Sequence, residues 1–209
     1  MAAFKTHLTV GAIVGGACAA IAVTVFHLTC IQTISVFIMG LVGGILPDID
    51  SDSGKPLALI FGTVSVLLPV LLLDKLPIGR QHSPEFLVSY FVLSYLIINY
   101  LICGILKTMT AHRGIIHSLP FALLAGEIGF LLFLPSGEKV ATMIAISIFS
   151  GSLAHLILDE LHSFSFKYMI IPVVKNSFGT AIKLKSTHFL PTATIYVLVI
   201  AAAFMITTR

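Results

Sequence analysis

Apolar residues run through this chain in long blocks separated by short polar breaks. Seven blocks can be drawn, at 8–26, 31–46, 56–73, 86–106, 117–134, 140–159 and 189–207. A helix needs about 20 residues to cross the hydrocarbon layer of a bilayer, so each block is close to spanning length. The pattern predicts an all-α membrane protein, a polytopic helical bundle of about seven transmembrane helices forming a single integral-membrane domain over residues 1–209. The second block is short for a full crossing, which predicts a tilted or partly re-entrant helix. Its Gly40, Gly43 and Gly44 would let another backbone approach closely. The first block, with Lys5 before it and Ala17-Cys18-Ala19-Ala20 near its end, has the outline of a signal peptide. The spans that follow make cleavage unnecessary for insertion, so it is expected to stay as the first helix.

Composition agrees with the pattern. Hydrophobic residues make up 57% of the 209 residues and charged residues 10%, with a mean hydropathy of +1.07. Soluble domains average about 25% charged residues, which excludes an ordinary soluble fold. The net charge of +3 is spread without a basic stripe, so no nucleic-acid partner is expected. Cys18, Cys30 and Cys103 lie far apart in or beside apolar blocks, with no CxxC spacing. They are expected to act as small apolar residues rather than as disulfide or zinc ligands.

Basic residues orient the spans. The amino-terminal side carries Lys5, Lys55, Lys107, Arg113, Lys167, Lys175, Lys183 and Lys185. The opposite side carries Lys75, Arg80, Lys139 and Arg209. Positive residues accumulate on the cytoplasmic side, which predicts a multi-pass protein with its amino terminus in the cytoplasm. On this topology His7, the Asp48-Ile49-Asp50-Ser51-Asp52 run, the segment from His112 to His117, and the end of the sixth block all reach one membrane face.

These four clusters carry the candidate chemistry. His155, Asp159 and His162 are spaced i, i+4, i+7, so one helix face presents all three side chains. A His and an Asp one turn apart are a workable pair of metal ligands. Asp48, Asp50 and Asp52 follow Pro47 at the end of the second block. They lack the glycine and glutamate of a calcium loop, since Ser53 and Leu59 stand in those places. Carboxylates at a helix carboxyl end oppose the helix dipole and invite a cation. His112 and His117 would diverge by about 140° on a continuous helix, so a shared site requires a break at Gly114 with His117 inside the fifth span. Arg113 between them suits a phosphate or carboxylate through its planar donor fork, or serves only to set topology. Glu127 sits mid-span, where an ionisable group is a functional suspect, yet about 15 Å along the helix from His117. His27, His82 and His188 have no ligand-like company and are expected at the interface.

With these residues assembled, the chain resembles the YdjM-like family of inner-membrane, LexA-binding, metal-dependent hydrolases. The resemblance rests on His7, Leu46-Pro47-Asp48-Ile49-Asp50, the His112–Ser118 stretch read as H-R-G-x-x-H-S, and His155 to Asp159 read as H-x-x-x-D. It covers residues 7 to about 163. It implies a helical membrane fold, a bound divalent metal and hydrolase activity. After Asp159 the family's threonine is replaced by His162-Ser163 nearby, and the segment to His188 follows none of these elements.

The expected function is a metal-dependent hydrolase with its site at the cytoplasmic interface, acting on a phosphoester of lipid or small-molecule type. His7, Asp48, Asp50, His117, His155 and Asp159 are the expected metal ligands, with Asp50 as a second carboxylate bridging to the metal. His112, Arg113 and Asp50 are the expected catalytic residues. Zinc is expected first, manganese or iron next, as one or two ions. The membrane lipid is the expected partner. The alternative is a divalent-metal binding or transport protein, or a metal-stabilised scaffold without catalysis.

Overall fold

The computed structural model describes residues 4–50, 55–73, 83–104, 115–162, 164–167, 171–174, 182–186 and 189–209. Among the described residues, seven α-helices appear in the order the apolar blocks predict: α1 (Phe4–Thr24), α2 (Cys30–Ile45), α3 (Lys55–Leu73), α4 (Pro84–Leu96), α5 (Leu119–Phe133), α6 (Glu138–Leu161) and α7 (Phe189–Thr207). Among the described residues, six helical stretches are long and apolar enough to cross a membrane, and Leu57–Leu73 is a shorter apolar helix. A two-stranded antiparallel hairpin, β1 (Phe164–Lys167) and β2 (Ile171–Val174), lies between α6 and α7 with Phe164 opposite Val174.

Local signals explain the helix starts. Thr29 caps α2 in a reciprocal box with Gln32: the Gln32 amide donates to Thr29 Oγ1 at 3.4 Å, and the Thr29 amide donates to Gln32 Oε1 at 3.0 Å. Ser83 and Ser118 cap α4 and α5, each with a proline in the first turn, where the missing N–H costs nothing. At the end of α1, His27 takes a left-handed conformation (φ 53°) and the Leu28 amide donates back to the Ala22 carbonyl at 3.0 Å. His27 is thus a turn residue. The short second block gains length from a 3-10 turn, Leu46–Asp50, so the apolar stretch Cys30–Ile49 reaches 20 residues. No re-entrant geometry is needed.

The chain divides into two compact units, Met1–Asp48 with Arg113–Arg209, and Ile49–His112. In the smaller unit α3 carries Pro69 within it, and the Tyr90 hydroxyl of α4 donates to the Pro69 carbonyl at 2.8 Å. The end of α4 widens into a π-helical turn, Ile97–Ile102. In the larger unit α1, α2 and α6 pack together over a core of Cys18, Ala22, Val36, Met143, Ile144 and Ile148. Of the cysteines, Cys18 and Cys103 are buried and Cys30 is exposed, all as free thiols.

Glycines set the spacing of this three-helix block. A Cβ on Gly44 would lie 2.6 Å from the Gly11 Cα, and one on Gly40 would strike the Gly15 Cα. On the other side of α2, a Cβ on Gly43 would meet the Ile148 main chain, and one on Gly151 would meet the Gly40 carbonyl. Bare backbone at these positions brings α2 against both neighbours, the close approach small residues permit between membrane helices. Serines use the proximity. Ser147 donates to the Val36 carbonyl at 2.8 Å and Ser152 to the Gly43 carbonyl at 3.0 Å, both buried.

Candidate metal centre

The larger unit brings five polar side chains to one end of its helices. His7 comes from the first turns of α1, Asp48 from the 3-10 turn after α2, and His155 and Asp159 from the last turns of α6. His117 precedes α5. It does not sit inside the fifth span as the sequence predicts: Ser118 caps the helix and α5 starts at Leu119, leaving His117 in the preceding turn. All five residues are buried, His7 and His155 at 1% exposure, His117 at 3%, and Asp48 and Asp159 at 8%. Burying two carboxylates and three imidazoles in an apolar bundle is costly unless each charge finds an opposite one.

The imidazole Nε2 atoms face the carboxylates. His7 Nε2 lies 3.3 Å from Asp159 Oδ1. His117 Nε2 lies 3.8 Å from Asp48 Oδ1 and 3.7 Å from Asp159 Oδ2. His155 Nε2 lies 3.6 Å and 3.9 Å from the same two oxygens. The His7 ring stacks on His155 at 3.7 Å, and the His117 ring meets His155 edge-on at 5.5 Å.

One contact fixes the chemistry of His155. Its Nδ1 lies 2.8 Å from the Gly44 carbonyl, which can only accept, so Nδ1 carries the proton. The neutral ring then keeps its lone pair on Nε2, the buried atom that faces the carboxylates and makes no hydrogen bond. A ligand histidine commonly donates its other nitrogen to a backbone carbonyl in this way. Gly44 lies in the last turn of α2, where carbonyls lack helical partners, so the bond also satisfies an orphan acceptor.

These groups can hold a metal ion. Two sets of three donor atoms, His7/Asp48/His155 and His117/His155/Asp159, each lie within 4.8 Å of one another. Around one tetrahedral ion, donors bound at about 2.0–2.2 Å stand about 3.3–3.6 Å apart. The four distances linking His117 and His155 to Asp48 and Asp159 run from 3.6 to 3.9 Å, a few tenths of an ångström wider. A divalent cation would balance the two carboxylates and take up the lone pair of His155. The donor set fits.

The remaining expectations divide. His162 does not join the cluster: α6 ends at Leu161, and His162 is exposed with Nδ1 turned 2.9 Å from its own Leu158 carbonyl. His112 and Arg113 lie outside the described residues, as do Asp52, His82 and His188. Asp50 is placed by its backbone in the 3-10 turn, and its side chain lies outside the described residues. Glu127 is half-buried on α5, with Oε2 buried and, among the described residues, without a hydrogen bond. Two further groups matter to the cluster and are not among the expected ligands or catalytic residues. Ser118, both cap and neighbour of His117, is signalled by its place two residues before Pro120. The Gly44 carbonyl has no side-chain signature.

The family model described as YdjM inner membrane protein matches residues 1–209. No curated protein and no solved structure matches the chain. The match runs through the helical bundle and every residue of the buried His/Asp cluster alike. The chain belongs to the YdjM inner membrane protein family.

Proposed function

We propose that this chain is a membrane-embedded, metal-dependent hydrolase acting on a phosphoester at headgroup level, with one divalent ion, zinc first, whose ligands are drawn from His7, Asp48, His117, His155 and Asp159 with one position left for water. The observation that carries the reading is the buried meeting of three imidazoles and two carboxylates drawn from four separate segments. His155 favours one ion over two. Both donor sets include it, and with Nδ1 committed to Gly44 it has one lone pair to give. Bound there, a divalent metal supplies Lewis acidity and lowers the pKa of a coordinated water toward neutrality. Asp48 and Asp159 neutralise the cation, and the burial of all five donors limits bulk water. Arg113 and His112 are proposed to neutralise the phosphoryl charge and protonate the leaving alcohol. Asp50 is proposed as an additional carboxylate for the ion.

A lipid phosphoester is the proposed substrate class because the cluster lies at the ends of α1, α2, α5 and α6, where headgroups meet such helices. The proposed address is the inner membrane with the cluster on the cytoplasmic side. Elemental mass spectrometry of detergent-purified protein tests the metal, and hydrolysis of phosphatidate or a chromogenic phosphodiester tests the reaction. About one ion per chain, with turnover lost on chelation and restored by zinc, is expected. A wild-type protein that holds no metal after reconstitution overturns the reading.

The transport alternative keeps one supporting observation, the buried Oε2 of Glu127 within α5. Metal uptake into vesicles that disappears in Glu127→Ala would favour it over hydrolysis.

A further inference from the structure

Four of the five clustered residues ride on the tightly packed α1, α2 and α6 block or the turn leaving it. His117 does not. It stands in a turn before α5, and its position depends on what holds that turn. Among the described residues, one segment does so from far along the chain. Ser118 pairs with Lys183 as an isolated parallel bridge, and the Leu119 amide donates to the Lys183 carbonyl at 3.0 Å. This amide is the first of α5, one that lacks a partner within its own helix.

The 182–186 segment is itself held by α7. The Tyr196 hydroxyl donates to the Leu184 carbonyl at 2.9 Å, and the Ser186 amide donates to Thr192 Oγ1 at 3.0 Å. Thr192 and Tyr196 are four residues apart and share one face of α7. A path of hydrogen bonds and backbone therefore runs from α7, which supplies no ligand, through residues 183–186 to the Leu119 amide, two residues after His117.

We propose that residues 182–186 form a strap through which Thr192 and Tyr196 on α7 position His117 in the metal centre. They are positioning residues, and their importance to the metal rests on the hydrolase reading above. The strap also gives a role to part of the segment between Asp159 and His188 that follows none of the family elements.

The test reads His117 directly in metal-free, detergent-solubilised full-length protein. Diethyl pyrocarbonate modification is followed at each histidine by peptide mass spectrometry. In wild type the buried His7, His117 and His155 are expected to react slowly. The Thr192→Val/Tyr196→Phe double variant should raise the rate at His117 about 10-fold while His7 and His155 stay protected. Thr192→Ser with Tyr196 intact should restore protection. Leu119→Pro deletes the amide that meets Lys183 at a helix position where proline is tolerated, and should expose His117 in the same selective way. Unchanged His117 reactivity in both variants overturns the strap, and so does equal exposure of all three histidines, which marks general loosening. Zinc affinity, measured in parallel, should fall about 10–100-fold, as for loss of an outer partner of a ligand. A wild type without zinc affinity would overturn the hydrolase reading and leave the histidine reactivities to decide the strap alone.

Discussion

At the scale of single residues, the cluster distinguishes two histidines that spacing alone makes equivalent. His155 and His162 both lie on the Asp159 face of an ideal helix, but α6 stops at Leu161 and His162 folds back on Leu158. His155→Ala should therefore weaken metal binding by more than the roughly 10–100-fold expected of an outer partner, whereas His162→Ala should leave it within error of wild type. Competitive titration against a chromogenic chelator reads both. Equal loss in the two variants would place the ion outside the cluster described. The i, i+4 pair is legible in the sequence because helix periodicity fixes its geometry. The exclusion of His162 is not, because the end of a helix moves by a residue or two without a clear signal. Nor is the Gly44 carbonyl, since any residue there presents the same acceptor.

At the scale of elements, close packing of α2 depends on positions with no side chain. Gly43→Leu would drive carbon into the Ile148 main chain, which cannot move as a side-chain tip can. Overpacking costs about 1–3 kcal/mol where neighbours can yield, and this variant should meet or exceed that range. Gly16→Leu on the neighbouring helix meets nothing within 4 Å and should stay within about 0.5 kcal/mol of wild type. Unfolding midpoints in mixed micelles compare the two. Parity between them would mean that the helices separate before the measured transition. The all-α bundle is legible in the apolar blocks, because a run of spanning length has few other ways to satisfy its backbone. The 3-10 turn after α2 is hidden: Asp48 and Asp50 read as loop residues, whereas Asp48 is buried in the turn. The hairpin before α7 has no repeating pattern to reveal it.

At the scale of the whole molecule, the cluster relates the chain's two ends. α1 starts at the cluster, α2 ends there, α5 starts there and α6 ends there. α7 departs from the strap bonded to the first residue of α5 and runs 19 residues away. The carboxyl terminus should thus lie across the membrane from the amino terminus. With the proposed cytoplasmic amino terminus, a carboxyl-terminal alkaline phosphatase fusion should be active and a green fluorescent protein fusion dark. Termini that report the same compartment would contradict this arrangement. The meeting of His7, Asp48, His117, His155 and Asp159 at one end of the larger unit's helices is legible in the order of spans and breaks, because counting spans puts those breaks on one side. The meeting of the Nε2 atoms with the two carboxylates is not, because it depends on the glycine-set separation of α1, α2 and α6.

The placement of the donors also bears on biosynthesis. A chain inserted from its amino terminus brings in His7 and Asp48 with its first two helices, His117 with the fifth, and His155 with Asp159 only with the sixth. Until the sixth helix arrives, two ionisable side chains from the first pair lack the company they have in the folded protein. The strap cannot form before residues 182–186 are made, and its anchors arrive later still, at Thr192 and Tyr196. Under the proposed function, ion capture would be a late event in the life of the polypeptide, and a ribosome halted before the seventh helix would leave a membrane intermediate with every donor present and His117 still untethered.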